Sequence, residues 1–405
     1  MIALSETECR LINTEVFLRL QRIKQLSHTY LVYPSAAHTR FEHSLGAMHM
    51  AGLICEKLGL DHDMTRLVRI AALLHDVGHG PFSHLFESVL EPINPKNGAI
   101  HELITRKMIL NDPEIKSILG KDRHAIAELL NDDTSKVQKK WRFMSDIVSG
   151  SLDADKLDYL ARDSFYLGVN YGKFDLVRIL HTICPTPDNE RLGILRKGMN
   201  ALENYRLARH LMTAQGYKHH TGIVADRMFL NSMDLAINTE KVIPVDVLKV
   251  NHKSFLPFYK TLDDCSIVNL VMSSKKSKIS REILEDLYRH RLLKRVYEAK
   301  FVRIRDYATK QALLYKKDKL SNIARDIRKQ LKLPAHMLFV HESNIPIKLY
   351  GETDIPCVEE NGMVNYMNTL SSFQADSEIT AYYVFGPESK REIIHQKFAS
   401  ADIDP

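Results

Sequence analysis

The chain has 405 residues, 44% apolar and 26% charged, enough to bury a sizeable core and too ordinary in composition for wholesale disorder. Its 56 basic and 50 acidic residues leave a net charge of +6, unevenly spread along the chain. No apolar run approaches the roughly 18 residues of a membrane span, and five scattered cysteines with no CxxC argue against a cysteine-ligated zinc site.

The N-terminus carries acids where a secretory signal carries basic residues, and the odd, scattered cysteines suit a reducing compartment, so a cytoplasmic protein is expected. From about residue 8 to 235 the apolar spacing is mostly helical. Met64, Leu67, Val68, Ala71 and Leu74 follow the i, i+3, i+4, i+7 rule, and Gly78 and Gly80 break it just past His75-Asp76. That pair is therefore placed at the C-terminal end of a largely buried helix, beside a loop. Residues 155–163 also read as helix, with Asp155, Tyr159, Arg162 and Asp163 on one face and Leu157, Leu160 and Ala161 elsewhere. Val242–Val247 looks like a boundary. Two or more helices are predicted across 280–332, the first capped by Ser280. Residues 270–335 hold 19 Lys/Arg and 7 Asp/Glu, a local +12, so the remainder carries −6. Such a stretch suits nucleic acid, a regulatory nucleotide or an acidic subunit surface, or is simply a solvated helix face. Beyond Pro334 the texture turns to β, at Met337–Val340, Ile345–Tyr350 and Ile379–Phe385. The expected division is 1–240, 241–335 and 336–405.

His75 and Asp76 are adjacent and can reach one divalent cation. His43 lies upstream in Thr39-Arg-Phe-Glu-His-Ser-Leu45, and Asp155 lies downstream. Two imidazoles and two carboxylates suit a borderline-hard ion and leave positions open for water and a phosphate oxygen. The chemistry this points to is metal-dependent hydrolysis of a phosphate ester. No GxxxxGK[ST] is present, which excludes a P-loop NTPase.

Four ordered blocks, Phe17–Leu26, Arg40–Gly46, His75–His84 and Asp153–Asp163, resemble the HD superfamily of metal-dependent phosphohydrolases, and within it the deoxynucleotide triphosphohydrolase branch. The resemblance covers residues 10–235 well and 241–300 more weakly. It implies a mainly α fold, an HD-domain helical core with a smaller α+β C-terminal region. It implies that His43, His75, Asp76 and Asp155 hold one divalent ion per subunit (Mn, Fe, Zn, Ni or Mg), with a further Mg carried by the nucleotide. The activity implied is attack of water on the α-phosphorus of a dNTP, releasing deoxynucleoside and inorganic triphosphate. His79 and His84 match phosphate-facing histidines, and His101, followed by Glu102, matches a proposed proton donor to the leaving 5′-oxygen. Arg40, Lys156 and Arg209 match phosphate contacts, and Gln25 and Asp163 match groups that bond the sugar 3′-hydroxyl. Tyr159 and Tyr217 match rings that pack on the deoxyribose and leave no room for a 2′-hydroxyl. A homo-oligomer, dimer or tetramer, is also implied.

Where animal members of the branch recognise a guanine activator with Asp, Gln and Arg, this chain has Asn13, Leu18 and Gln21, so an activator site of that design is not expected. Two other functions stay open: an HD phosphodiesterase or nuclease using the basic stretch as a backbone track, and a non-catalytic nucleotide-sensing scaffold. The first lacks the Gly-Tyr-Pro segment of cyclic-dinucleotide enzymes. The second leaves two carboxylates held together without a reason.

Overall fold

The computed structural model of the protein describes residues 2–95, 99–131, 137–304, 307–348, 355–367 and 376–401. It is mainly helical, and among the described residues the strands form two small sheets. The first sheet has the order β1-β2-β5-β6, built from β1 (Ile183–Pro185), β2 (Leu192–Leu195), β5 (Pro356–Val358) and β6 (Val364–Tyr366). The second is antiparallel, β3 (Lys294–Ile304), β7 (Asp376–Gly386) and β4 (Phe339–Lys348) in that order. Both sheets tie distant chain segments together: β2 pairs with β5 in parallel, and β3 pairs with β7. These pairings cross both of the lines drawn at 240 and 335.

Most apolar side chains join one large core, which runs from Leu11 through the Arg40–Leu58, His62–Leu74 and Ala154–Leu167 helices. A second, smaller core forms where the Tyr307–Leu331 and Arg391–Ala401 helices cover the three-stranded sheet. There Leu320, Ala324 and Ile327 meet Val296, Tyr382, Val384, Ile394 and Phe398. No helix among the described residues is long and apolar enough to cross a membrane.

The helices expected around Met64–Leu74 and residues 155–163 are present as His62–Leu74 and Ala154–Leu167. Of the expected C-terminal strands, 339–340 and 345–348 fuse into β4, while Met337 closes a 3-10 turn ahead of it, and 379–385 lies within β7; Leu349 and Tyr350 lie outside the described residues. The span 280–332 needs correction. It holds the Ile279–Tyr288 helix, then strand β3, and only then the Tyr307–Leu331 helix. Ser280 is not the cap. The Glu240 carboxylate accepts from the N–H groups of Lys278, Ile279 and Ser280 at 3.0, 2.8 and 3.4 Å and also binds the Ser280 hydroxyl.

A carboxylate on the amino end of a helix satisfies free N–H groups and complements the helix dipole. Glu240→Ala is therefore expected to cost about 1–2 kcal/mol of unfolding free energy, measured by urea titration. Partial burial opposes ionisation of Glu240, but its bonds to Ser280, Lys278 and Ile279 win and hold it below the ordinary glutamate value. The contribution is thus fully present above the unfolded pKa of about 4.3 and fades as pH falls through the folded one. The gap between wild type and variant should close in acid.

Candidate metal centre

Each expected ligand sits where an element begins or ends. His43 lies just inside the Arg40–Leu58 helix, which starts at Thr39 with its N–H donating to Glu42 Oε2 at 2.7 Å. His75 closes the His62–Leu74 helix, and Asp76 opens the loop beyond it. Asp155 is the second residue of the Ala154–Leu167 helix, whose capping Asp153 accepts from Lys156 N–H at 2.7 Å.

The structure brings all four together. His43 Nε2 lies 3.0 Å from Asp155 Oδ1 and 3.4 Å from Asp76 Oδ2. His75 Nε2 lies 3.2 Å from Asp76 Oδ1 and 3.6 Å from Asp155 Oδ1. Both Nε2 atoms are buried without a well-formed hydrogen bond. Their other nitrogens are fixed: His75 Nδ1 is 2.7 Å from the Ala72 carbonyl, and His43 Nδ1 is 2.9 Å from Asp158 Oδ2. Both partners are acceptors, so Nδ1 carries the proton and Nε2 presents its lone pair inward. Two inward lone pairs facing two carboxylates fit one divalent cation.

The electrostatics agree. Burial alone would depress the His43 imidazole, yet contact with Asp155 and Asp158 outweighs it and raises it to about 10. His75 rises for the same reason, through Asp76 and Asp155. Against burial, Arg40 and His75 hold the Asp76 carboxyl well below the usual range, and His43 and His75 do so for Asp155. The cage is strongly anionic, and protons answer it in the way a metal ion does.

Behind the ligands stand residues whose roles the motifs did not reveal. Asp158 receives Arg162 at 2.8 and 2.9 Å while it holds His43. Arg162, counted from sequence onto the Asp155 face, turns to Asp158 instead. The loop after Asp76 is pinned from three sides. Thr105 Oγ1 accepts from Gly78 N–H and donates to the His75 carbonyl, both at 3.0 Å. A Cβ on Gly78 would stand 2.3 Å from His101 O, so only glycine fits there. Arg19, fully buried, donates to the carbonyls of Val77 and His79 at 2.9 and 2.7 Å and of Leu262 at 3.1 Å. Tyr259 donates to Gly78 O at 2.9 Å. Phe82 and Ser83, with φ of 56° and 59°, take a left-handed path that Asp264 steadies by accepting from Phe82 N–H at 2.6 Å.

That loop delivers His79, buried, with Nε2 3.3 Å from Asp76 Oδ1. Burial, Arg40 and His101 push its pKa well down, so it stays neutral. Glu87, not singled out from the sequence, binds His84 Nδ1 at 2.6 Å and His101 Nδ1 at 2.7 Å. Glu102 is peripheral, with Oε1 4.0 Å from His101 Nε2.

Asp163 takes His38 Nε2 at 2.8 Å and the Tyr217 hydroxyl at 2.7 Å. Gln25 is buried with its Oε1 lacking a partner. Arg209 bonds Tyr159 and lies in the field of Tyr205. Arg40 and Lys156 are already engaged: Arg40 holds Asp76 at 2.5 Å and Ser83 at 2.8 Å, and Lys156 holds Asp153 at 2.5 Å and Gly150 O at 3.0 Å. His38, which bonds Asp163 and stacks on Tyr166 at 4.4 Å, was also missed.

Among the described residues, the cations of the basic stretch fall on the Ile279–Tyr288 helix, β3, the Tyr307–Leu331 helix and the segments beside them, and some are paired internally, as in Arg295–Glu298 and Lys317–Glu342, both at 2.9 Å.

Comparison with known proteins agrees with this geometry. Residues 40–163 match the HD domain and residues 174–376 the HD associated region. An uncharacterized protein of Methanocaldococcus jannaschii is 36% identical over 71% of this chain and 57% of its own length. The human deoxynucleoside triphosphate triphosphohydrolase SAMHD1 is 28% identical over 71% of this chain and 52% of its own. The chain thus spans about half the length of these two relatives. A solved phosphohydrolase structure from Bacteroides thetaiotaomicron superposes with a TM-score of 0.75 at 25% identity, covering 96% of each chain. With both matched regions together spanning most of its length, and with the His and Asp residues of the candidate metal centre gathered within the first, the chain belongs to the HD-domain family.

Proposed function

We propose that this protein hydrolyses deoxynucleoside triphosphates to deoxynucleoside and inorganic triphosphate, with one divalent ion on His43, His75, Asp76 and Asp155. The observation that carries the reading is the pair of buried, unpartnered Nε2 atoms facing two carboxylates. When bound there, such an ion polarises a phosphoryl oxygen and acidifies a water. The remaining work falls to the chain. Neutral His79 is a hydrogen-bond partner for the attacking water. Glu87 fixes Nδ1 of His101, leaving Nε2 to protonate the leaving 5′-oxygen. Arg40, Lys156 and Arg209 supply positive charge for the phosphates, and His84 faces them as a hydrogen-bonding group. Gln25 Oε1, buried and unpaired, accepts from a 3′-hydroxyl beside Asp163. The rings of Tyr159 and Tyr217 exclude a 2′-hydroxyl by shape, which requires no contact with the base.

The human relative's name supports this substrate class, as does the Tyr217–Asp163 bond. A homo-oligomer and a cytoplasmic location belong to the same proposal. So does a regulatory nucleotide on the basic region, where a cavity of about 200 Å³ is lined by His220, Lys294, Arg295 and Arg391.

The test is incubation of the pure protein with each dNTP and NTP plus Mn or Mg, resolving the phosphate products. Triphosphate from several dNTPs is expected; pyrophosphate or monophosphate instead overturns the reading. Exclusion of a hydroxyl by an apolar wall reaches only about 10²-fold. Tyr217→Ala should therefore lower the dATP-over-ATP ratio of kcat/KM by roughly tenfold or more, with ATP gaining and not merely dATP losing.

A further inference from the structure

Beside the metal centre lies a second group of ligand-type side chains. His79, His84, Glu87 and His101 each offer a donor atom, and these atoms all lie within 4.8 Å of one another. Glu87 Oε1 is 2.6 Å from His84 Nδ1 and Oε2 is 2.7 Å from His101 Nδ1. His79 Nδ1 is 3.8 Å from Oε1, is buried, and makes no hydrogen bond. The His79 and His101 rings stack at 4.2 Å, and His84 stands edge-on to them at 4.7 and 5.2 Å. Three Nδ1 atoms thus converge on one buried carboxylate, and one of them has nothing to bond.

Three imidazoles and one carboxylate are the donors that zinc and its late first-row neighbours favour, whereas magnesium prefers oxygen alone. The outer contacts suit a ligand role as well. Nε2 of His79 is 3.3 Å from Asp76 Oδ1, the carboxylate–imidazole pairing that orients a metal-binding histidine and strengthens it. The His84 side chain is 68% exposed and opens the group to solvent.

We infer that His79, His84, Glu87 and His101 form a second cation site, separate from the His43/His75/Asp76/Asp155 centre, that takes zinc-like ions and when filled arrests the reaction. Binding stands on this geometry alone. Arrest rests on the hydrolase reading above: a cation on these nitrogens withdraws His79 from the attacking water and His84 and His101 from the phosphates and leaving group.

The test uses the full chain stripped of metal and equilibrated with zinc, or with cobalt(II) as a visible probe, followed by metal counting. Wild type should bind two ions, Asp155→Ala one, Glu87→Gln one, and the double variant none. Four-coordinate cobalt bands should appear in Asp155→Ala and vanish in the double variant. His84→Ala, at an exposed position, serves where Glu87→Gln perturbs folding, and should weaken the second ion at least tenfold. With Mn in the first centre, zinc should abolish triphosphate release in wild type. One ion on wild type, or two on both Glu87→Gln and His84→Ala, overturns the site. Two ions with undiminished turnover overturn the arrest and leave the site standing. A protein that releases no triphosphate with any metal fails the hydrolase reading, while the count of ions still decides this one.

Discussion

Asp155→Ala is expected to lose bound divalent metal and triphosphate release together, with the fold intact. In the proposed site four ligands share one ion, so deleting one removes a quarter of the donors and half of the carboxylate charge. The Lewis-acid contribution of such an ion is several kcal/mol, which converts to a loss on the order of 10³-fold or more in kcat/KM. Asp155 is the ligand on which to read this. Its side chain is 29% exposed, so truncation opens no core cavity. Asp76 is a poorer choice because Arg40 sits on it, with side chains 5% and 6% exposed. Removing Asp76 strands a buried guanidinium, a loss of about 3–5 kcal/mol of stability. The double change His75→Ala, Asp76→Ala should therefore be inactive and also less stable. Metal content after dialysis, circular dichroism and product assay together separate the two. Asp155→Ala with wild-type turnover would mean that the reaction lies elsewhere on the molecule.

Three of the four proposed ligands are tied to a local signal in the chain. His75-Asp76 follows an apolar helix and precedes two glycines; Asp155 opens a helix behind its own Asp cap. Residues that act across the fold gave no such signal. Asp158 is one more acid in an acid-rich helix until packing sets it against His43 and Arg162. Glu87 is three residues past His84, but its second partner, His101, comes from another helix. Arg19 is buried and braces three carbonyls from two distant segments, a role set by contacts far away in the chain. Arg40 and Lys156 carry the right charge, but the sequence cannot tell that Asp76 and Asp153 hold them. The misread strand β3 has a cause of the same kind. Its Lys- and Arg-rich sequence looks like a solvated helix, and only pairing with β7, some eighty residues on, makes it a strand. Ser280 is the local version of this error: the cap comes from Glu240, forty residues earlier in the chain.

Gly46→Ala gives the sharpest test of how the metal centre is held. Glycine inside a helix is weaker than alanine by roughly 0.5–1 kcal/mol, so propensity alone says the substitution stabilises the Arg40–Leu58 helix. The surroundings say otherwise. A Cβ there would stand 1.9 Å from Asp158 Oδ1 and 2.2 Å from Arg162 NH2, so that pair must move. Asp158 is what fixes the His43 ring and keeps its Nδ1 protonated, so the displacement reaches the metal through a residue that never touches it. Loss of an outer partner of this kind weakens metal affinity by about 10–100-fold. Gly46→Ala and Asp158→Asn are expected to fall in that range for Mn, measured by titration calorimetry, and to recover turnover at saturating Mn far better than Asp155→Ala does. Two variants on different helices sharing one phenotype would trace it to the Asp158–His43 bond. A Gly46→Ala protein that binds Mn as wild type does would show that the helix pair can part without disturbing the ligand, and that His43 is aimed by its own helix alone.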